Sequence, residues 1–340
     1  MSKTIKNKFY KCLTFENMLA AHERAKKGKT SKSEIIIFEM DLETNIIRII
    51  NEIKNNNYKF GKYREFTVYE PKERIIKSLP YRDRIVHQWY VEEFIKPYFY
   101  PRFIKDTYAC LDNRGTHKAV KEMQKKMRKM KKEYNDYYVL KCDIKKYFYN
   151  IDKRILMKIL SKKIKDKKIL EFTEIILNDG SNIGIPIGNY TSQYFANIYL
   201  NELDHYVKET LRIKYFCRYM DDFILLLPTK EEAKKCLALL EGFVNKELKL
   251  EFNNKSTYFK SNRGIDFCGY RIYETHILLR KRFKNKVNKS VKKWNYLYEE
   301  GKLYYEKYYM SWNSYKGHAS HANSLNFMKK KEKQLPIHFN

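Results

Sequence analysis

The tetrapeptide Tyr219-Met220-Asp221-Asp222 constrains this chain more than any other feature. Apolar, β-prone residues flank it on both sides: Ile213, Tyr215 and Cys217 before, Phe223, Ile224, Leu225 and Leu226 after. Two such runs meeting at an Asp-Asp turn make a hairpin with buried arms and carboxylates at its tip. By itself an acidic hairpin turn is commoner as a solvated turn than as a site. A second acid changes that balance. Asp143 ends another apolar run, Tyr138-Val139-Leu140-Lys141-Cys142, and precedes Ile144. A strand-end carboxylate beside a hairpin-tip carboxylate can hold two divalent ions about 3.5–4 Å apart. Hard oxygen ligands suit Mg2+, with Mn2+ as a substitute, because phosphates and water complete the shell. Asp222 then reads as a support for that geometry.

The charge balance agrees with a polyanionic partner. The 340 residues carry 70 Lys+Arg against 40 Asp+Glu, a formal net charge of +30. Such an excess repels itself in a compact fold and is usually kept for a partner of opposite sign. Thirty tyrosines suit stacking on bases as well as core filling. A lysine-rich proteome would inflate the same residues, so composition alone leaves both readings open. Length and hydrophobic content predict two or three packed subdomains, without a Pro/Gly/Ser-rich linker. The start, MSKTIKNKFYKCL, lacks the apolar core of a signal peptide, and no stretch reads as a membrane span. Six cysteines are scattered singly, which fits reduced thiols and predicts a cytoplasmic protein without a zinc site.

Periodicity places the motifs. Residues 13–28 and 41–56 have helical spacing, and 62–70 alternates like a strand. Residues 70–88 set basic residues between apolar ones and then run into a helical pattern. After Gly115 a helix is predicted with Val120, Met123, Met127, Met130 and Tyr134 as its apolar stripe and a basic opposite face. Strands are predicted within 137–144, 213–227 and 264–273, with a helix carrying Gln193, Asn197 and Asn201 between the first two. The tail from about 280 is helical and basic. Irregular alternation of helices and strands predicts an α+β fold with a small antiparallel sheet.

These motifs, in this order, resemble those of reverse transcriptases. The KCDIKKYFYNI stretch resembles the first catalytic motif of that family, with Asp143 and the Ile144 carbonyl at the metal position. IPIGNYTSQYFANIYLNELDHYV (185–207) resembles the second and RYMDDFILL the third. KLEFNNKSTYF (249–259) resembles the next, with Lys255 near the triphosphate, and DFCGYRI (266–272) resembles the primer grip, Phe267, Cys268, Gly269 and Tyr270. Upstream, KERIIKSLPYRDRIVHQ and DTYACLDNRGTHKAV resemble the fingers segments that hold nucleotide and template. The resemblance implies a right-hand polymerase: fingers over 1–138 with part of 150–184, palm over 139–275, and a short basic helical thumb over 276–340. It implies nucleotidyl transfer from dNTPs on an RNA template, with template RNA and an RNA/DNA duplex as partners and no membrane. The metals would lower the pKa of the primer 3′-OH and neutralise the triphosphate. The roughly 65 residues after the primer grip read as too few for a ribonuclease H or endonuclease domain.

Within the family the nearest resemblance is to the enzymes of diversity-generating retroelements. Ile187-Gly188-Asn189-Tyr190-Thr191-Ser192-Gln193 ends in Ser-Gln, where retroviral, retron and group II intron enzymes usually have Ser-Pro. SWNSYKGHASHANS (311–324) resembles that group's short thumb signature. The implied product is mutagenised cDNA of a template-repeat RNA, with errors at template adenines, made alongside a small basic accessory variability protein oligomer. Alternatives are a bacterial defence-type reverse transcriptase, an RNA-binding scaffold without catalysis, and an RNA-dependent RNA polymerase. Intact Asp143, Asp221 and Asp222 argue against the scaffold, and Phe148 against the RNA polymerase.

Single residues carry two readings each. Phe148 resembles the family's aromatic under the nucleotide sugar, which excludes a 2′-OH; it also reads as a core aromatic. Lys72, Arg74 and Lys77 can pair with triphosphate oxygens or form a solvated basic face. Ile187, Gly188 and Gln193 would line the nucleotide site, where Ile187 offers shape but no hydrogen bond; packing against the palm is the alternative. Arg114 and Gly115 can approach the template backbone or simply open a helix. In 282–298, Phe283, Val287, Val291, Trp294 and Tyr298 make a buried stripe, leaving Arg282, Lys286, Lys289 and Lys293 for duplex phosphates. His318 and His321 read as packing or RNA contacts.

Overall fold

The computed structural model describes residues 4–69 and 73–337. Four helices open the chain: α1 Phe9–Cys12, α2 Phe15–Lys26, α3 Ser33–Glu39 and α4 Leu42–Lys54. Strands β1 Arg64–Val68 and β2 Arg74–Ser78 follow, then α5 Tyr81–Tyr90, α6 Lys96–Phe99 and α7 Thr116–Tyr134. Next come β3 Tyr138–Asp143, α8 Tyr147–Asn150, α9 Lys153–Ser161, α10 Lys167–Leu177 and α11 Tyr190–His205. The second half holds β4 Tyr215–Tyr219, β5 Asp222–Leu227, α12 Lys230–Leu248, β6 Thr257–Lys260, β7 Ile265–Phe267, β8 Tyr270–Ile272 and β9 Ile277–Leu279. Three helices close it: α13 Lys281–Glu299, α14 Tyr305–Ala319 and α15 Leu325–Glu332. The fold is α+β with small sheets of two, four and three strands. Among the described residues no helix is long and apolar enough to cross a membrane.

The chain divides into two compact units. One comprises 1–111, 143–212 and 239–253; the other comprises 112–142, 213–238 and 254–340. In the first unit side-chain caps set where helices start. Thr14 accepts from Asn17 N at 3.3 Å ahead of α2, and Asp152 accepts from Arg154 N at 2.8 Å ahead of α9. Asp166 caps α10 through Lys168 N and also accepts from Lys8 N at 2.7 Å, so it ties α1 to α10. Aromatic packing of Phe9, Trp89, Phe94 and Phe172 fills the space around these helices.

The second unit is built on the four-stranded sheet, order β4-β5-β3-β6. The Asp-Asp hairpin forms as its sequence predicts, with Tyr215 opposite Leu226 and Tyr219 opposite Asp222. Every residue from Phe223 to Leu227 is buried, which anchors the arm that leads away from the acids. Helix α7 lays Val120, Met123, Met127 and Met130 into the core, but Tyr134 is 49% exposed. The helix ends there, at Asn135 in the left-handed region (φ 56), and in its last turn Glu133, not Tyr134, is the residue that meets Tyr215 of β4. In α13, Val287, Val291 and Trp294 are buried with Leu303, Tyr308 and Trp312. Tyr298, predicted in the same stripe, is 46% exposed instead. After Gly301 (φ 66) the chain brings Leu303 into that buried cluster. Strand β1 forms where alternation predicts it, yet none of its residues is buried, since β2 is its one sheet partner.

Candidate active site

The loop between β4 and β5 is two residues long, Met220 and Asp221. Such a loop needs a positive φ, and Met220 supplies it at 56°. A side chain in that region costs of order 1 kcal/mol or more and persists only where its surroundings hold it. Arg218, 0% exposed on β4, does so: its Nη1 donates to the Met220 carbonyl at 3.0 Å. The sequence reading missed Arg218, although a lone Arg inside the apolar run Tyr215–Tyr219 is a visible anomaly. The tip is thus preset, with Asp221 and Asp222 both half-buried.

Asp222 is engaged from the neighbouring strand. The Lys141 Nζ lies 3.2 Å from Asp222 Oδ2 and also donates to the main-chain carbonyl of Asp266 on β7. Lys141 therefore balances the charge of Asp222 and joins the acidic hairpin to the hairpin that follows β6. It sits two residues before Asp143, on the same face of β3, so strand periodicity alone could have flagged it.

Asp143 is the last residue of β3, which lies between β5 and β6 in the sheet order. Its backbone is pinned by the 251–253 segment: Asn253 N donates to the Asp143 carbonyl at 2.7 Å, and Lys145 N donates to the Glu251 carbonyl at 2.9 Å. Asn253 Nδ2 also donates to Asp143 Oδ2 at 3.1 Å, which orients the carboxylate. Asn253 is a second residue that sequence reasoning passed over. Ile144 is buried and apolar, so it could serve a cation through its carbonyl alone. Among the described residues no group of three or more His, Cys, Asp or Glu comes together as a metal site. A cation held here would rest on few carboxylates and on substrate oxygens, which is the habit of Mg2+.

Of the residues read as nucleotide-binding, Phe148, Ile187 and Gly188 are linked in the first unit through the 185–189 segment. Ile185 N donates to the Phe148 carbonyl at 2.8 Å, and Lys77 N donates to the Ile187 carbonyl at 2.8 Å. The 185–189 segment is thereby stitched to α8 on one side and to β2 on the other. Asn189 Nδ2 donates to Tyr63 Oη at 2.7 Å and adds a third stitch. Gly188 (φ 130) lies so close to the Lys77 carbonyl oxygen that a Cβ there would be well inside van der Waals contact. Of the aromatics in the 147–149 run, Tyr147 is the core residue, 2% exposed with its hydroxyl donating to the Ala196 carbonyl at 2.6 Å. Phe148 is half-buried, with its ring edge against Tyr147. Arg74 and Gln193 are exposed, Lys77 pairs with Glu65 at 3.1 Å, and Lys72 lies outside the described residues.

In the second unit, Cys268 (φ 48) and Gly269 (φ 89) form the two-residue turn between β7 and β8. Phe267 and Tyr270 flank it but are 1% and 0% exposed, so their side chains belong to the core. Of this predicted grip only Gly269 is exposed; Cys268 is half-buried. Burial, aided by the nearby Asp222 charge, pushes the Cys268 thiol well above its ordinary pKa, so it stays protonated. Tyr270 stacks on His318 and donates to its carbonyl at 2.8 Å, while His321 stacks on His117 at 3.6 Å between ring centres. These histidines pack. Lys255 is exposed ahead of β6; Arg114 and Gly115, half-buried, precede α7; Arg282, Lys286, Lys289 and Lys293 lie on the exposed face of α13.

Residues 59–272, more than half of the chain, match the family model described as reverse transcriptase (RNA-dependent DNA polymerase). The chain belongs to the reverse transcriptase family. It is 25% identical over 237 residues to the protein YkfC of Escherichia coli K12, covering 56% of this chain and 61% of that protein. It is 25% identical over 305 residues to the group II intron-encoded protein LtrA of Lactococcus lactis, covering 68% and 50%. A Saccharomyces cerevisiae COX1/OXI3 intron 2 protein is 21% identical over 357 residues, covering 81% and 40%. The chain thus spans between 40% and 61% of the length of these relatives. Among solved structures, telomerase from Candida albicans in complex with a telomeric RNA fragment aligns with a TM-score of 0.46 and 12% identity, covering 75% of this chain and 55% of that one.

Proposed function

We propose that this chain is an RNA-directed DNA polymerase that extends a primer 3′-OH with dNTPs on an RNA template. The observation that carries this reading is the preset acidic hairpin in a sheet whose next strand ends in Asp143, within a chain of this family. In the reaction the primer oxygen bonds to the α-phosphorus of the dNTP, and the bond to pyrophosphate breaks. Two divalent cations, when bound, would acidify the primer hydroxyl and offset charge on the leaving pyrophosphate. Asp143 and Asp221 would hold them, with Asn253 orienting Asp143 and with Lys141 and Arg218 keeping the hairpin in place. The 185–189 segment, stitched between Phe148 and Lys77, would form the floor on which the incoming nucleotide sits. The fingers, palm and thumb boundaries read from the sequence belong to the same proposal.

Phe148 is the sugar gate of that floor, since Tyr147 already fills the core position in the same run. Phe148→Val should open space beneath the 2′ position and admit ribonucleotides. Competition between dNTP and rNTP in single-nucleotide extension should show discrimination reduced at least about tenfold, the size expected when shape contact is removed. Unchanged discrimination would return Phe148 to a packing role.

The finer reading is error-prone copying of a template-repeat RNA, with substitutions at adenines, as in diversity-generating retroelements. It rests on Ser192-Gln193 and on Ile187. The Ile187 carbonyl is engaged by Lys77 N, and its side chain offers the nucleotide no donor or acceptor. Apolar contact discriminates by only about 1–3 kcal/mol, whereas directed hydrogen bonds penalise misalignment more. A small basic accessory protein would be the partner in that setting. The test is to sequence cDNA made by the purified protein from co-purified RNA, beside an Ile187→Gln variant. Misincorporation opposite adenine should be high in the parent and lower in the variant; an accurate parent would remove the finer reading and leave the polymerase.

A further inference from the structure

Helix α7 carries a charge pattern that the proposed reaction does not use. It holds eight Lys or Arg against two Glu over Thr116–Tyr134. Helix α12, of equal length, holds four Lys against four Glu, so a general lysine bias of this chain does not account for α7. Five of the lysines, Lys118, Lys121, Lys125, Lys129 and Lys132, recur at intervals of three or four residues and are all exposed. That spacing puts them in one stripe about 21 Å long, at 1.5 Å per residue. The opposite face, with Met123, Met127 and Met130, is buried. Flanking groups fix the rotation of the helix: Gln124 Nε2 donates to the Tyr273 carbonyl at 3.0 Å, Lys126 Nζ to the Phe216 carbonyl at 2.7 Å, and Arg128 Nε to the Glu274 carbonyl at 2.7 Å. The flanking basic residues serve the fold, and the stripe is left facing solvent.

Two acids of α7, Glu122 and Glu133, lie near the five lysines of the stripe. Glu122 pairs with Lys125 at 2.7 Å, and Glu133 is held by Lys214 at 2.7 Å and by the Tyr215 hydroxyl. Lys118 Nζ donates to the Asn113 carbonyl at 3.1 Å, which leaves its charge unbalanced. A row of like charges this close repels itself unless an anionic surface runs along it. We propose that the α7 stripe binds the phosphate backbone of paired RNA, at a place separate from the primer–template duplex. Paired rather than single-stranded RNA fits because no aromatic residue lies on α7 between His117 and Tyr134. Single-strand surfaces combine basic residues with aromatic platforms for the bases, whereas a duplex offers phosphates alone to such a helix.

The proposal rests on the chain being an RNA-binding polymerase, and one experiment separates the two. The quadruple variant Lys121→Gln, Lys125→Gln, Lys129→Gln, Lys132→Gln is compared with the parent and with the same four positions changed to Arg. Binding of a 20-base-pair RNA hairpin without a primer junction is measured across salt, and extension of a short primer–template is measured in parallel. Each phosphate contact contributes about 0.9 to the slope of log affinity against log salt, so the Gln variant should lose about three to four from the slope. The Arg variant should retain the parental slope, and both should melt like the parent and extend the short primer normally. An unchanged slope in the Gln variant overturns the proposal, whether the stripe then meets an acidic protein or only water. Loss of short-primer extension together with an unchanged slope overturns it as well. Failure of the parent to extend any primer, with the slope difference present, would strike the polymerase reading and leave this surface standing.

Discussion

Primer extension by Asp143→Asn or Asp221→Asn variants is expected to fall by at least about 100-fold, the ordinary loss when preorganised charge at a transition state is removed. An amide keeps the shape of the carboxylate but supplies no negative charge to a cation. Folding should survive in both variants for identifiable reasons. Asp143 is held through its backbone by Asn253 N, and in the Asp143→Asn variant the side-chain amide oxygen could still accept from Asn253 Nδ2. The loop that carries Asp221 takes its shape from Met220 and from the Arg218 bond to the Met220 carbonyl. Melting temperature and RNA affinity should therefore stay near those of the parent while extension disappears. Extension at the parental rate in either variant would remove that residue from the site. Thermal unfolding of a variant would instead show that its charge is structural.

The second large effect is expected at Gly188. Gly188→Ala places a methyl group against the Lys77 carbonyl oxygen, and its φ of 130 lies where side chains are strained. Neither backbone nor oxygen can rotate away as a side chain end could, so the Lys77–Ile187 hydrogen bond has to break. The 185–189 segment would then move off β2, carrying Ile187 and Asn189 with it. Overpacking of this kind costs about 1–3 kcal/mol, and a misplaced substrate floor multiplies its effect on turnover. KM for the incoming dNTP should rise at least about tenfold, or about 1.4 kcal/mol, while primer–template affinity stays constant. The overpacking cost should lower the melting temperature by only a few degrees, well short of unfolding the protein at assay temperature. A dNTP KM equal to that of the parent would show that the segment does not touch the nucleotide. Asn189→Ala, which removes the bond to Tyr63 without a clash, should shift KM in the same direction by less.

Much of the local structure was legible because the deciding interactions are short in sequence. The β4–β5 hairpin was readable from apolar runs on either side of four residues, since burial of both arms follows from their own side chains. The buried faces of α7 and α13 followed from helical period, and the errors fell at Tyr134 and Tyr298. Both lie in a last helical turn, where burial depends on what the chain does next. The acidic residues Asp143, Asp221 and Asp222 stood out because carboxylates at the ends of apolar strands are costly unless they meet a partner.

Other features depended on pairings far apart in the chain. Lys141 meets Asp222 across 81 residues, Asn253 meets Asp143 across 110, and Tyr63 meets Asn189 across 126. No periodicity in one segment reports such distances, because long-range register is set by the packing of whole elements. The aromatic run Tyr147-Phe148-Tyr149 shows the same division. By composition its members are interchangeable, and the sequence left Phe148 with two readings, sugar gate or core aromatic. The hydrogen bond from the Tyr147 hydroxyl to the Ala196 carbonyl takes that ring inward, while Phe148 stays half-buried. By itself, then, the sequence determined which segments are strands and helices and which acids stand at their ends, since both follow from local polarity and spacing. Tertiary structure alone decided which of the remaining charges and rings hold that site in place, since each such contact exists only once distant elements have docked.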